Sequence, residues 1–176
     1  MTGKVLTIVI VVSAILSGVL MYYLQVYGFY NEVPATGDGD VMLTGVTSGE
    51  PEPILVEGFQ AIDADSSPLR YRACFETTMS QALLTETYEL YDNPIPNVAP
   101  GWFDCFDAEA LGAALEEGNT LAFLGTANIH YGFDRVVAIA PDGKGYVWHQ
   151  INICGEEVFD GNPPPQGCPP PPEPGQ

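Results

Sequence analysis

The stretch Val5–Leu24, VLTIVIVVSAILSGVLMYYL, contains twenty residues without a charge, and the rest of the chain is organised around it. A helix rises about 1.5 Å per residue, so this stretch extends roughly 30 Å, which matches the hydrocarbon core of a bilayer. Aromatic residues crowd its end, from Tyr22 to Tyr30, where such rings settle among lipid headgroups. We predict one transmembrane helix within residues 1–30.

A cleaved signal peptide is the competing interpretation of this stretch. A signal peptide has an apolar core of about 7–15 residues followed closely by small residues at the cleavage site. Here the apolar run is longer, and bulky aromatics separate it from the small residues at Val33–Ala35. Lys4 precedes the run and no basic residue follows it before Arg70, so the positive-inside rule predicts a cytoplasmic N-terminus.

One stripe of the predicted helix carries small and polar residues. Small residues let two helices approach closely in lipid, and a Gln or Thr on the same face can donate a hydrogen bond across the interface. The alternative is that such residues are simply common in membrane spans. We expect an integral membrane protein to contact this stripe, which consists of Thr7, Val11, Ala14, Gly18 and Gln25.

Residues 31–176 carry all 23 acidic residues and four of the five basic ones, which gives a net charge of −19. Nucleic acid and anionic lipids are poor partners for such a negative field. A basic protein, for example a soluble electron carrier, would be attracted to it, most strongly to residues 31–69, which contain no basic residue. Solubility alone is the simpler explanation of the charge.

Cys74, Cys105, Cys154 and Cys168 form an even set outside the cytoplasm, which predicts a disulfide framework. Of the three pairings, we favour 74–105 with 154–168 because each closes a short loop. The sequence has no CxxC motif or paired histidines at metal-ligand spacing. We therefore expect neither a metal nor another cofactor.

Residues 31–68 are acidic and rich in turn-forming residues, with two short apolar runs, Val41–Val46 and Ile54–Val56. We interpret this segment as a linker that carries one or two edge strands. Asp63–Ser67 begins like a calcium loop, but Pro68 stands where the turn glycine belongs. Hydrogen bonds of these side chains to their own backbone explain the segment better.

Residues 69–161 predict an α+β domain with an antiparallel sheet and two helices. Asp107 is a good N-cap for the second helix and Gly118 a good terminator, while Asp142-Gly143 predicts a tight hairpin. Residues 162–176, rich in proline, predict an extended tail. The expected strands are 69–75, 120–128, 133–140 and 146–153, and the expected helices are 79–91 and 108–117, with a loop at 93–101.

Little in the sequence indicates catalysis. A pair formed by Cys154 and His149 would require a free thiol, and strand alternation places these two residues on opposite faces. His130 is the only other histidine. The aromatic residues of the domain are typical of a core rather than of a ligand cage. We expect no catalytic residue and no enzymatic activity.

Several phrases of the sequence resemble a family of uncharacterised single-pass proteins from alphaproteobacteria: residues 22–27, 62–68, 71–75 and 102–106. The resemblance implies an inner-membrane protein with a periplasmic domain and supplies no catalytic residue. Some members carry the label histidine kinase, but only about four residues precede the membrane span here, too few for a kinase domain. We expect an accessory or assembly subunit of a membrane complex. The alternative is a PAS-like module that senses a ligand and signals through a membrane partner.

Overall fold

The computed structural model describes residues 2–172 and begins with the apolar helix α1, Thr2–Tyr23. α1 continues into one π-helical turn, Leu24–Gly28. The window Gly3–Gly28 is long and apolar enough to cross a membrane, and none of it is buried against the rest of the protein. The helix is therefore compatible with a single-pass membrane anchor.

The domain after α1 is built on a six-stranded antiparallel sheet. Its strands are β1 (Asn31–Val33), β4 (Glu57–Asp63), β5 (Arg72–Glu76), β6 (Leu121–His130), β7 (Phe133–Ile139) and β8 (Lys144–Ile151). A separate hairpin contains β2 (Met42–Thr44) and β3 (Pro51–Pro53). The helices are α2 (Gln81–Thr87), α3 (Ala108–Glu116) and α4 (Ile153–Phe159), with a 3₁₀ turn at Pro68–Arg70.

The strand order in the sheet is β1-β4-β5-β8-β7-β6, so the chain leaves β5, builds two helices, and returns through β6 and β7 to place β8 beside β5. The α+β class and the antiparallel sheet are confirmed. One end of the sheet faces α1, because β1 follows α1 directly and pairs with the end of β4. We call this the α1 end, formed by residues 63–72, 128–135 and 148–153, and its opposite the far end.

Both faces of the sheet are buried. One is covered by the β2–β3 hairpin and α2, which bring Leu43 and Leu84 against Phe75, Val137 and Val147. The other is covered by α3 and the loop before it, which contact Val136, Ala138 and Trp148. Each fully buried large apolar side chain contributes roughly 1.5–3 kcal/mol to folding, so the two layers form the core.

The local predictions for α3 and the β7–β8 hairpin are confirmed. The Asp107 carboxylate accepts hydrogen bonds from the Glu109 and Ala110 amides, both at 3.1 Å. Gly118 ends the helix with φ +73°, and Gly143 shapes the hairpin with φ +87°. These positive φ values suit glycine because it lacks a Cβ.

The predicted helix 79–91 is shorter than expected. Ser80, not Thr78, caps α2, and the helix stops at Thr87. The next residues run beside β6, where the Tyr91 amide donates to the Ala122 carbonyl at 2.9 Å and the Leu124 amide donates to the Glu89 carbonyl at 2.9 Å. Pairing with a distant strand replaces the last helical turn, which local propensity could not foresee.

The segment 31–68 contributes an interior strand, where the sequence indicated at most edge strands. β4 lies between β1 and β5, and its Ala61 and Ile62 are buried. The alternation at the end of β4 places these two side chains on opposite faces, both of which are covered. Of the apolar runs, Val41–Val46 contains β2, whereas Ile54 is buried just after β3.

The remaining boundaries differ more modestly. Residues 68–70 form the 3₁₀ turn, so β5 starts at Arg72, and β8 ends at Ile151 because Asn152 caps α4, a helix that the sequence analysis did not predict. The preferred disulfides, Cys74–Cys105 and Cys154–Cys168, are both present. Of the predicted tail, residues 162–172 contain no helix or strand, and residues 173–176 lie outside the described part.

Candidate functional site

The candidate site is the junction where the π-helical turn after α1 contacts the loop before α3. The carbonyls in the last turn of a helix lack partners inside the helix. Here the Trp102 indole Nε1 donates to the Val26 carbonyl at 2.6 Å. The Tyr27 ring stacks on Trp102 with 6.2 Å between ring centroids, and the Tyr30 ring meets Trp102 edge-on at 5.9 Å. One tryptophan therefore joins α1 to the domain.

Arg70, in the 3₁₀ turn before β5, makes a second connection to the end of α1. Its Nη1 donates to the Gln25 carbonyl at 3.3 Å, and its guanidinium lies over the Tyr30 ring at 5.4 Å. A cation above an aromatic face is attracted by about 0.5–1 kcal/mol when exposed. Together with Trp102, Arg70 fixes the direction in which the domain leaves α1.

The loop that carries Trp102 is fastened at both of its ends. At one end buried Arg72, 3% exposed, donates to the Asn97 carbonyl at 2.8 Å and to the Val98 carbonyl at 3.0 Å. At the other end Cys105 is bonded to Cys74 of β5. Trp102 is therefore held on a segment that is closed at both ends.

Within the described part of the chain, the hydrogen-bond partners of Arg72 are all carbonyl oxygens. Besides the two loop carbonyls, its Nη1 donates to those of Leu69 at 2.7 Å and Tyr71 at 2.6 Å. Burial lowers the pKa of Arg72 to about 10, so the side chain stays protonated at neutral pH. The strand predicted at 69–75 contains both Arg70 and Arg72, and the sequence analysis did not predict that Arg72 is internal. The available signal in the sequence was that Arg72 is flanked by an apolar residue on each side within the strand.

His149 lies in a second polar cluster, inside the sheet face that the β2–β3 hairpin covers. Its Nδ1 is 2.7 Å from the Pro68 carbonyl, which can only accept, so we assign the proton to Nδ1. The Nε2 lone pair then accepts from Arg135 Nε at 3.0 Å. The Tyr71 ring stacks on the imidazole at 4.8 Å, and Arg135 lies over the same Tyr71 ring at 4.2 Å.

This environment makes His149 a poor base. Burial, followed by the charge of Arg135, lowers the pKa of His149 to about 4, and the arginine already occupies its lone pair. The exposed His130 ring lies 6.0 Å away, edge-on. All four cysteines are in disulfides, so the structure brings no thiol to either histidine. Within residues 2–172 no group of three metal-ligating side chains comes together.

A third polar network fixes α4 to the α1 end. Buried Asp134 accepts from the Asn128 amide at 2.8 Å and from Asn152 Nδ2 at 2.7 Å, while the Tyr91 hydroxyl donates to its other oxygen at 3.3 Å. Burial and Asp134 raise the pKa of Tyr91. Asn152 in turn caps α4 by accepting from Gly155 at 3.1 Å. The contacts of the Asp134 carboxylate therefore hold the start of α4 against the sheet.

A cleft of about 820 Å³ opens beside the junction. Trp102 and Phe103 line it together with Phe59 and Ile62 of β4, and Glu32 and Asp104 bring carboxylates to it. Aromatic walls with a few polar groups are typical of ligand sites. Most of the aromatic residues expected in the core do lie there, but Trp102 is only partly buried and borders this cleft.

The helix stripe expected to meet a membrane partner lies free. Thr7, Val11, Ala14 and Gly18 are all exposed on α1, and a Cβ added at Gly18 would meet nothing within 4 Å. The Thr7 hydroxyl donates to the Gly3 carbonyl at 3.0 Å, within the helix. Gln25 lies in the π-helical turn, and its backbone carbonyl accepts the hydrogen bond from the domain.

Residues 41–169 match the model of a family of unknown function, DUF6446, and the chain belongs to that family. The match covers β2 to α4 with both disulfides, Arg70 and Trp102, and it leaves out α1 and β1. No curated protein matches the chain, and no solved structure does.

Proposed function

We propose that this member of the DUF6446 family is a non-enzymatic accessory or assembly subunit of a membrane complex, of which a respiratory complex is one candidate. α1 crosses the bacterial inner membrane once, with the N-terminus in the cytoplasm and the domain in the periplasm. Lys4 before the apolar run and the absence of basic residues from 5 to 69 support this orientation. The two disulfides favour an oxidising compartment.

The observation that carries the proposal is the bonded junction between α1 and the domain. A domain tethered by a flexible linker would sample many orientations above the membrane. Here Trp102 and Arg70 bond the carbonyls of Val26 and Gln25, so the domain is presented at one orientation to whatever α1 contacts. Such an arrangement suits a subunit that positions a periplasmic surface within a larger assembly.

The polar groups of the domain support a non-catalytic role. The imidazole of His149 is enclosed by Arg135, Tyr71 and Pro68, and the carboxylate of Asp134 is taken up by amides. A general base must reach a substrate proton within hydrogen-bond distance. Among the described residues the Nε2 lone pair of His149 is already taken by Arg135, and both carboxylate oxygens of Asp134 accept hydrogen bonds.

Association through the α1 stripe is tested by substitution in the full chain. Affinity purification in mild detergent, followed by mass spectrometry, should recover a membrane protein with the wild type and lose most of it with Gly18→Ile. Ile15→Leu is the matched control, since Ile15 is also exposed and the change keeps its volume. Equal recovery with both variants would contradict a role for the stripe.

The acidic segment 31–69 offers a second contact, to a basic periplasmic protein. Steering by such a field acts over the Debye length, about 8–10 Å at physiological salt, and raises association rates. The carboxylates of Asp40 and Glu52 also bond Thr36 and Ser48, so they hold turns as well. Binding of a basic cytochrome c should weaken with salt and on changing Asp38, Asp40, Glu50 and Glu52 to amides. Binding indifferent to both would remove this contact.

A ligand-sensing function is the second candidate, and the 820 Å³ cleft favours it. Trp102 lines the cleft and also bonds Val26, so a ligand there would touch the residue that joins the domain to α1. Native mass spectrometry should then detect a small molecule that is lost on Phe59→Ala, at the cleft wall. Phe159→Ala, on α4, is the control. An empty protein in both cases would leave only the accessory function.

A further inference from the structure

A second cleft, of about 630 Å³, lies between the end of α1 and the loop before α3. One wall is formed by Tyr22, Gln25 and Val26, and the other by residues 97–101. Arg70 also lines this cleft. The cleft therefore has an aromatic helix end, a loop and a cation around one space.

Among the described residues Arg70 has no acidic partner, although the chain has 23 acidic residues and five basic ones. Within residues 2–172 the one ion pair joins Lys144 to Asp142 at the far end. Arg70 uses one guanidinium nitrogen on the Gln25 carbonyl, and a guanidinium has five N–H donors. Donors therefore remain for an anionic oxygen in the cleft.

The position of the cleft along α1 defines which anionic group can reach it. Tyr22 lies at the end of the uncharged run Val5–Leu24, where a bilayer would pass from acyl chains to headgroups. Val98 lines the same cleft and is 81% exposed, an apolar side chain with no protein covering it. A charged donor and uncovered apolar groups in one cleft match a molecule that is itself part polar and part apolar.

We propose that this cleft binds one phospholipid, with the phosphate on Arg70 and the start of an acyl chain against Tyr22 and Val98. Arginine recognises phosphate through parallel N–H···O bonds. The net charge of −19 on residues 31–176 disfavours an anionic headgroup, so the ligand is a zwitterionic phospholipid. The proposal rests on α1 lying in a membrane but not on any protein partner.

The cation is tested with the full chain in maltoside micelles by native mass spectrometry, titrating dihexanoylphosphatidylcholine. Arg70→Gln should weaken retention of one lipid by roughly tenfold, because charge-assisted bonds to phosphate are about twice as strong as neutral ones. Lys144→Gln is the control, since Lys144 is the exposed cation of the far end. Equal retention by Arg70→Gln and the wild type would overturn the proposal.

The apolar contact is tested independently, in a variant that removes no packing. Val98→Ser should weaken binding of the lipid several-fold but leave glycerophosphocholine, the same headgroup without chains, unaffected. Leu55→Ser, at a residue 82% exposed on the far end, should change neither. Equal effects of the two serine variants would overturn the acyl-chain contact.

The source of the phosphate is tested by competition. Dihexanoylphosphatidylglycerol should bind more weakly than the zwitterionic lipid. Millimolar inorganic phosphate should not displace the bound zwitterionic lipid. Displacement by inorganic phosphate would show a site for free phosphate instead. The Gly18→Ile variant should lose its membrane-protein partner but still bind the lipid. That result would show that the lipid site is separate from the partner contact on α1.

Discussion

The two ends of the sheet are built by different means. At the α1 end, contacts join residues far apart in sequence: Arg72 reaches the loop at 97–98, His149 reaches Pro68, and Asp134 reaches Asn152. At the far end, the turn of the hairpin at 140–144 and the helix stop at Gly118 are closed by hydrogen bonds within a few residues. Backbone and amide groups make long-range contacts there, as when the Thr77 amide donates to the Gly143 carbonyl and the Gln81 side chain donates to the Ile139 carbonyl. Three of the four basic residues after α1 lie at the α1 end, and only Lys144 at the other.

This difference indicates which end can tolerate change. Buried polar groups are stable only when all partners are in place, and an orphaned buried group costs about 1–3 kcal/mol. Local turns instead depend on one or two residues and a small backbone preference. The α1 end, which contributes Arg70 to the junction and to the proposed phospholipid cleft, is therefore the end where single substitutions should propagate.

The largest contrast between the two ends is expected from removing a cation at each. Arg72→Met would leave four carbonyls without their donor, and we expect a loss of about 3–4 kcal/mol in the free energy of unfolding. Lys144→Met removes an exposed cation and should leave the unfolding midpoint unchanged. Thermal unfolding of both full-length variants in detergent, followed by near-UV circular dichroism, measures this. Equal midpoints would remove the distinction between the ends.

The disulfide of the α1 end should have the next largest effect. Changing Cys154 and Cys168 to serine opens a loop of 14 residues, for which chain entropy predicts a loss of about 3 kcal/mol. Amide hydrogen exchange should show lost protection in α4 while the far hairpin, residues 140–144, keeps its protection. Peptide mapping of non-reduced wild-type protein should recover 74–105 and 154–168, and any other pairing would contradict the fold at this end.

The same division explains how far the sequence could predict the fold. α3 and the β7–β8 hairpin are confirmed because their signals, Asp107, Gly118 and Asp142-Gly143, act on adjacent backbone. β4 lies in the segment that the sequence predicts to be a linker, because turn residues surround it, and only its neighbours β1 and β5 in the folded sheet reveal its interior position. Pairing with strands that are distant in sequence determines the position of β4 in the sheet, and such pairing leaves no signal in the local sequence.

The candidate site was predictable in part. The aromatic residues at the end of α1 predict the membrane–water interface, yet nothing local assigns Trp102 to the Val26 carbonyl, 76 residues away. Arg70 and Arg72 stand two residues apart but have different environments. Arg70 contacts the end of the helix, whereas Arg72 is buried. α4 was missed because its cap, Asn152, follows a strand directly, so β8 was extended through it.

A change in pH should also act on the α1 end first. His149 has a pKa of about 4 in the folded protein and an ordinary value of 6.5 when unfolded. Below pH 6.5 the unfolded chain binds a proton that the folded protein does not, so stability falls as pH drops towards 4. The loss between pH 7 and 5 should be about 2 kcal/mol.

Urea unfolding at both pH values measures this loss in the wild type and in His149→Gln. The substitution should remove most of the pH-dependent loss, whereas His130→Gln, an exposed histidine beside it, should retain it. A loss of the same size in all three proteins would assign the acid sensitivity to other groups.

The smallest contrast is expected at two glycines with the same backbone conformation. Gly118 at the far end has φ +73° and Gly132 at the α1 end has φ +80°, so alanine pays a left-handed backbone cost of about 1 kcal/mol at either. At Gly118 a Cβ meets nothing within 4 Å, whereas at Gly132 it would lie 2.6 Å from the Gly155 Cα of α4. Gly132→Ala should therefore cost at least about 1 kcal/mol more, because α4 must shift and loosen its Asn152 cap. Chemical denaturation of both variants measures the difference, and identical losses would mean that α4 rests on the sheet more loosely than its contacts indicate.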